Sequence, residues 1–176
     1  GKIIHQLEES GLRENTLILF YTDNGTHQSI VSMKGNKTVK GAKSETIDNG
    51  TRVPLIVSWP GKISPQKTNQ MVASSDFIPT LLDAIGGELP ANFITDGESF
   101  LPEIITQKRD PNRRDWVMID HNPRPGWDKG HLKPSKFVKG RQYKLYDDGR
   151  FYDVVNDELE LSPLTSLTTD LISLKA

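Results

Sequence analysis

An aspartate and an asparagine follow directly on an apolar run near the start of the chain. Leu17-Ile18-Leu19-Phe20-Tyr21 ends abruptly at Thr22-Asp23-Asn24-Gly25. A carboxylate beside an amide oxygen provides the hard oxygen donors that Ca²⁺ and Mg²⁺ prefer. In open α/β sheets ligands bind at the carboxyl ends of strands, where this pair would lie. Asp23 and Asn24 are therefore candidate metal ligands, although Asp-Asn-Gly is also common in turns after strands.

The sequence Lys40-Gly41-Ala42-Lys43 points to a second kind of chemistry, the binding of an anion. A lysine on a loop hinged by glycine can bring a compact positive charge to an anion. A solvated basic loop would have the same composition. A nucleotide-type phosphate loop needs the sequence Gly-x-x-x-x-Gly-Lys-Ser/Thr directly after a strand. It is rejected because Ala42 separates Gly41 from Lys43 and no strand is predicted before the loop.

Short helices and strands are predicted to position these residues. The spacing of apolar residues, together with the residues that end helices and strands, predicts helices over 2–10 and 76–85 and strands over 17–21 and 53–57. The first strand is predicted to be buried on both faces, as in a sheet covered by helices. The polar stretch 25–50 is predicted to be a long functional loop, and residues 88–112 to be irregular.

The pattern changes beyond about residue 115. Short strands are predicted over 116–119, 137–138, 142–146 and 150–154. Asp147-Asp148-Gly149 is a strong hairpin signal between the last two. A C-terminal helix is predicted because leucines at 164, 167, 171 and 174 recur at helical intervals. The fold class is thus α/β, followed by a small antiparallel sheet with a C-terminal helix.

Composition narrows the classes of function. The 176 residues include 22 basic and 23 acidic side chains, which gives no reason to expect a nucleic acid or an anionic membrane as a partner. No apolar run is long enough to cross a bilayer. The chain contains no cysteine, which excludes disulfides, a thiol nucleophile and thiolate metal sites.

The order of motifs resembles the type I sulfatase family, the formylglycine-dependent, arylsulfatase-like enzymes of the alkaline phosphatase superfamily. The matching segments are Thr22–Gly25, Lys40–Lys43, Arg52–Ile63, Ser75–Gly86, Asp96–Pro102, Tyr143–Leu145 and Phe151–Asp157. The resemblance implies that residues 1–110 are the C-terminal part of the catalytic α/β sandwich. Residues 111–176 would then be a small C-terminal α+β subdomain.

The resemblance also implies roles for single residues. Asp23 and Asn24 match the family's Ca²⁺ ligands, and Lys43 matches its sulfate-contacting lysine, whose charge would stabilise the transition state. His27, close to the metal motif, and His121, in the C-terminal part, are candidate substrate-binding residues. For His27 a solvated loop histidine is the alternative.

The family's nucleophile, a formylglycine made in the sequence Cys/Ser-x-Pro-x-Arg, has no counterpart here. The expectation is therefore a fragment that lacks the nucleophile, is inactive alone and binds Ca²⁺ weakly. Apolar surface left uncovered would make self-association plausible. The implied substrate is a sulfated small molecule or glycan, with no nucleic acid and no membrane as partner. The resemblance implies a periplasmic or secreted enzyme.

Two other functions remain open. A phosphoesterase or phosphonate hydrolase of the same superfamily would be favoured by a zinc requirement. A catalytically dead carbohydrate-binding homologue is the third reading, and an intact nucleophile motif in the complete protein would exclude it.

Overall fold

The computed structural model describes residues 1–123, 133–169 and 172. In chain order its elements are α1 (Lys2–Glu9), β1 (Ile18–Tyr21), β2 (Val31–Lys34), β3 (Lys37–Lys40), α2 (Asp48–Thr51), β4 (Leu55–Ser58), α3 (Phe77–Ala84), α4 (Leu101–Thr106), β5 (Val117–His121), β6 (Ser135–Lys139), β7 (Tyr143–Tyr146) and β8 (Phe151–Asp153). This is a mixed α/β chain with small antiparallel sheets, as predicted.

The contacts divide the chain into two compact units. The first comprises residues 1–20 and 55–115, and the second comprises 21–54 and 116–176. The segment that carries the metal motif and Lys43 thus belongs to the same unit as the C-terminal sheet. A functional boundary between residues 110 and 111 stays a prediction.

The first unit is built around β1, β4 and the helices α1, α3 and α4. The core consists of Trp59, Phe100, Leu101 and Ile104. Helices α1 and α3 confirm the predictions over 2–10 and 76–85. Helix α4 lies in the stretch that was predicted to be irregular, and that prediction is wrong. Pro102 is tolerated there because it lies in the first turn, where its missing N–H has no helical partner to lose.

Strand β1 is not buried on both faces, contrary to the prediction. Phe20 is 57% exposed and Tyr21 is 47% exposed. Strand β1 pairs with β4 in a two-stranded sheet within the described residues, and the described chain leaves Phe20 and Tyr21 uncovered on the faces of that sheet. The end of β1 therefore leads into the metal motif close to the surface.

The second unit begins with a hairpin in the stretch predicted to be a loop. Strands β2 and β3 pair antiparallel from Val31 opposite Lys40 to Lys34 opposite Lys37. Gly35 turns the chain with a φ of +60°. The expectation that no strand precedes Gly41 is thus wrong, because β3 ends at Lys40. A nucleotide-type phosphate loop is still excluded, because Ala42 separates Gly41 from Lys43 and the motif requires an adjacent Gly-Lys pair.

The second sheet of this unit, the C-terminal sheet, has four strands in the order β5-β6-β7-β8 and is antiparallel throughout. The pairing of β7 with β8, with Leu145 opposite Phe151, confirms the predicted hairpin. Phe137, Tyr146, Tyr152 and Val154 form its core. The first half of the predicted C-terminal helix is wrong, because Leu164 and Leu167 lie in irregular chain. Leu171 and Leu174, on which its second half rests, lie outside the described residues. No helix in the described part of the chain combines the length and apolar character needed to span a membrane.

Candidate active site

Two loops of the second unit carry the predicted metal ligands and the predicted anion-binding lysine. The metal loop, residues 22–30, follows β1, and the lysine loop, residues 41–51, follows β3. Their backbones are hydrogen-bonded to each other. The Gly25 N–H donates to the Gly50 carbonyl at 2.9 Å, and the Lys43 N–H donates to the Thr26 carbonyl at 3.0 Å. The structure therefore holds the loops that carry Asp23, Asn24 and Lys43 side by side.

Glycine permits this close approach. A methyl group at Gly25 would overlap the carbonyl oxygen of Asn49, and one at Gly41 would overlap the carbonyl oxygens of Thr26 and His27. Any side chain at either position would push one backbone away from the other, because backbone atoms cannot rotate aside as a flexible side chain can. The glycines of both motifs thus have a steric role between the loops.

The functional groups of the site are available for ligands. Asp23 and Lys43 are exposed and Asn24 is partly buried. Among the described residues, none forms a hydrogen bond or ion pair with the Asp23 carboxylate, the Asn24 amide or the Lys43 ammonium. Nor do the described residues contain a cluster of three or more His, Cys, Asp or Glu residues fit to hold a metal ion. The Asp23 carboxylate and the Asn24 amide oxygen fit Ca²⁺ chemically, but they would supply only two of the six to eight oxygen ligands that the ion takes.

His27 lies in the metal loop and is exposed. The backbone N–H of Ser29 donates to its Nδ1 at 3.2 Å, so that neutral His27 carries its proton on Nε2. The next residue, Gln28, donates from its amide to the Lys43 carbonyl at 3.2 Å and to Glu45 Oε1 at 3.1 Å. No sequence pattern predicted this pair of hydrogen bonds, which forms a second connection between the loops.

His121 ends strand β5, opposite Ser135 of β6. It lines a cavity of about 590 Å³ whose wall includes Ser44, Glu45 and Thr46 of the lysine loop. The structure therefore brings His121 to the same cavity as the residues that follow Lys43.

Sequence reasoning missed a group of buried side chains behind the lysine loop. They are Lys139, Lys144, Tyr146 and Glu160. Burial lowers the pKa of the Lys144 ammonium, although Glu160 acts in the opposite direction. Burial and the hydrogen bond to Glu160 raise the pKa of the Tyr146 hydroxyl. The sequence did contain one signal for this group. Lys144 and Tyr146 are two residues apart on a predicted strand, so that their side chains point to the same face.

Known proteins with related sequences and folds are sulfatases and their structural relatives. A profile of the family named Sulfatase matches residues 1–87. The chain is 34% identical over 154 residues to an arylsulfatase of Hemicentrotus pulcherrimus. The aligned region covers 85% of this chain and 28% of the arylsulfatase.

Solved structures extend the likeness over the whole fold. One, described as being in complex with its substrate D-glucosamine-2-N,6-O-disulfate, superposes with a TM-score of 0.72 at 22% identity, over 99% of this chain and 36% of that one. A phosphonate monoester hydrolase from Silicibacter pomeroyi gives a TM-score of 0.69 at 22% identity, over 98% of this chain and 36% of that one.

The chain thus spans little more than a third of these structures and less than a third of the arylsulfatase. Within that span the motif order, the family profile and the fold agree. The chain belongs to the sulfatase family and shares the alkaline phosphatase-like fold.

Proposed function

We propose that this chain forms part of the active site of an enzyme that hydrolyses sulfate esters. In this proposal Asp23 and Asn24 bind a Ca²⁺ ion and Lys43 contacts the sulfate group. The observation that carries the proposal is the pair of backbone hydrogen bonds, from Gly25 to Gly50 and from Lys43 to Thr26, between the metal loop and the lysine loop. Those bonds hold the loop of the proposed metal ligands beside the loop of Lys43, which supports a shared role of the two loops in binding a sulfate group.

Each side chain has a separate task in this proposal. The Asp23 carboxylate and the Asn24 amide oxygen supply two of the oxygen ligands of the ion. When bound, Ca²⁺ supplies a positive charge that stabilises negative charge on the sulfate oxygens. The Lys43 ammonium donates hydrogen bonds to the sulfate group and stabilises the charge that develops as the S–O ester bond breaks. The formylglycine nucleophile has no source within these 176 residues and belongs to another part of the complete enzyme.

A sulfated small molecule or glycan is the proposed substrate. The solved sulfated-glucosamine complex supports this class, because its protein shares the fold over nearly the whole chain. The cavity lined by His121 and by Ser44 to Thr46 is the proposed place for the organic part of the substrate. His27, exposed in the metal loop, is proposed to face the same substrate.

Two lysines of one motif allow a matched test in the complete enzyme. Lys40 and Lys43 are both exposed and lie three positions apart. We expect Lys43→Ala to lower kcat/KM for an aryl sulfate by about 10²-fold, because it removes a charge that acts on the transition state. Lys40→Ala should change it little. Near-normal activity of Lys43→Ala, or an equal loss in both variants, would show that Lys43 is a solvated loop residue.

A phosphonate or phosphate ester hydrolase is the second candidate, supported by the fold shared with the Silicibacter pomeroyi enzyme. The two reactions are separated by kcat/KM for an aryl sulfate and for a phosphonate monoester with the same leaving group. A higher value for the sulfate supports the proposal, and a higher value for the phosphonate supports the second candidate. Binding of sulfated sugar without turnover of either ester would favour a carbohydrate-binding homologue.

A further inference from the structure

The buried face of the C-terminal sheet carries two lysines opposite each other. Lys139 on β6 and Lys144 on β7 are register partners, and both are buried. Like charges on facing strands repel each other, and the burial of an ammonium group is unfavourable. Apolar side chains would avoid both costs. The stability of the sheet alone therefore does not account for the two lysines.

Both lysines reach the lysine loop. The Lys144 ammonium donates to the carbonyl oxygen of Thr46 at 2.6 Å and to Glu160 Oε1 at 2.7 Å. The Lys144 side chain is completely buried and that of Glu160 is 5% exposed. The Lys139 ammonium forms an ion pair with Asp48. The loop is thus held at two points, three and five residues after Lys43.

Tyr146 adds a second attachment at Thr46. Its hydroxyl lies 2.5 Å from Glu160 Oε2 and 2.8 Å from Thr46 Oγ1. A phenol has one proton to donate, and the carboxylate is the stronger acceptor. Tyr146 therefore donates to Glu160 and accepts from the Thr46 hydroxyl. We call Lys144, Tyr146 and Glu160 the anchor cluster, because together they hold both the backbone and the side chain of Thr46.

We propose that the anchor cluster positions the sulfate-binding lysine, because it fixes the backbone of Thr46 and thereby the place to which Lys43 brings its ammonium. A displacement of about 1 Å at a reacting group can lower a rate by about 10²-fold. Lys144 is in this sense a positioning residue that acts through Lys43. The role of Lys43 rests on the proposed function, whereas the attachment of the loop does not.

Three variants of the complete enzyme test the proposal. Tyr146→Phe removes the hydroxyl contacts and keeps the ring, which packs 5.2 Å from Phe137 between ring centroids. Lys144→Met combined with Glu160→Gln removes the charge pair without leaving a buried carboxylate unpaired. Lys136→Met is the control, because Lys136 lies on β6 but is 55% exposed in a surface ion pair with Asp120.

Hydrogen exchange measures the attachment directly. We expect the amides of residues 41–51 to exchange about 10-fold faster in Tyr146→Phe and in the Lys144→Met/Glu160→Gln variant, because local opening no longer breaks these bonds. Exchange in residues 77–84 of α3 should be unchanged, and the control should match the wild type. Unchanged exchange in the lysine loop of both variants would overturn the proposal.

A double-mutant cycle with Lys43→Ala separates positioning from general destabilisation. We expect the Lys144→Met/Glu160→Gln variant to lower kcat/KM for an aryl sulfate about 10-fold or more. In the Lys43→Ala background the same change should cause no further loss. An equal loss in both backgrounds would overturn a role through Lys43. A wild-type enzyme without sulfatase turnover would overturn the proposed function instead, and hydrogen exchange would still decide whether the loop is anchored.

Discussion

Asp76 provides a strong test of what stabilises the first unit. Its side chain is completely buried just before α3. It accepts hydrogen bonds from the backbone N–H groups of Ala73 at 2.9 Å and Glu98 at 3.0 Å. It also accepts from the guanidinium groups of Arg113 at 2.9 Å and Arg114 at 2.5 Å. One carboxylate therefore joins the start of α3 to the chain on both sides of α4.

The effect of Asp76→Ala follows from the groups that lose this acceptor. The side chains of Arg113 and Arg114 are only 4% and 9% exposed, so that water replaces the carboxylate poorly. Glu103 still pairs with Arg113 at 3.2 Å, and Glu98 lies 3.6 Å from Arg114, which keeps both cations near a negative charge. We therefore expect Asp76→Ala to lower the free energy of unfolding by about 3 kcal/mol, which is the low end of the range for a broken buried ion pair.

Urea unfolding of the chain, followed by circular dichroism and tryptophan fluorescence, measures this loss, because Trp59 belongs to the core of the first unit. Arg109→Gln is the matched control, since its ion pair with Asp115 is about half exposed on both sides. That variant should change the free energy of unfolding by less than about 1 kcal/mol. If Asp76→Ala costs no more than Arg109→Gln, the buried charge cluster does not stabilise the unit as we infer.

Three further predictions concern the second unit and the chain as a whole. Gly25→Ala should separate the two site loops and lower kcat/KM of the complete enzyme. Gly87→Ala is the control and should be tolerated, because its methyl group would meet only a flexible leucine side chain at 3.3 Å. Equal activities of the two variants would contradict the steric argument. The ion pair with Lys37 lowers the pKa of Glu158, so that its stabilisation, less than about 1 kcal/mol, is present at neutral pH and lost as the pH falls below 4.5. The stability difference between wild type and Glu158→Gln should therefore disappear in acid, and a difference that persists would refute this assignment. The purified 176-residue chain should not turn over an aryl sulfate, because it contains no Cys/Ser-x-Pro-x-Arg sequence, and measurable turnover would contradict us.

Local sequence signals predicted those elements whose formation depends on neighbours in the chain. The helical spacing before Gly86 predicted α3, and Asp147-Asp148-Gly149 predicted the β7–β8 hairpin. The β2–β3 hairpin was missed although Val31, Met33 and Val39 carry a weak alternating pattern around Gly35-Asn36. Lysines flank that pattern and made the stretch look like a polar loop.

Buried charges were not predictable because their partners lie far away in sequence. Lys144 is separated from Thr46 by 98 residues, and Arg113 from Asp76 by 37. A charged residue is normally assigned to the surface, since burial is unfavourable unless a partner is present.

The metal assignment is the central claim, and a calcium titration of the complete enzyme tests it most directly. Bound Ca²⁺ and kcat/KM for an aryl sulfate are measured together for wild type, Asp23→Ala and Lys43→Ala. We expect Asp23→Ala alone to lose calcium and to regain part of its activity in excess calcium, because mass action offsets a weakened metal site. Lys43→Ala should keep its calcium and gain no activity from more. Full calcium content in Asp23→Ala would show that Asp23-Asn24-Gly25 is only a turn and would contradict the account.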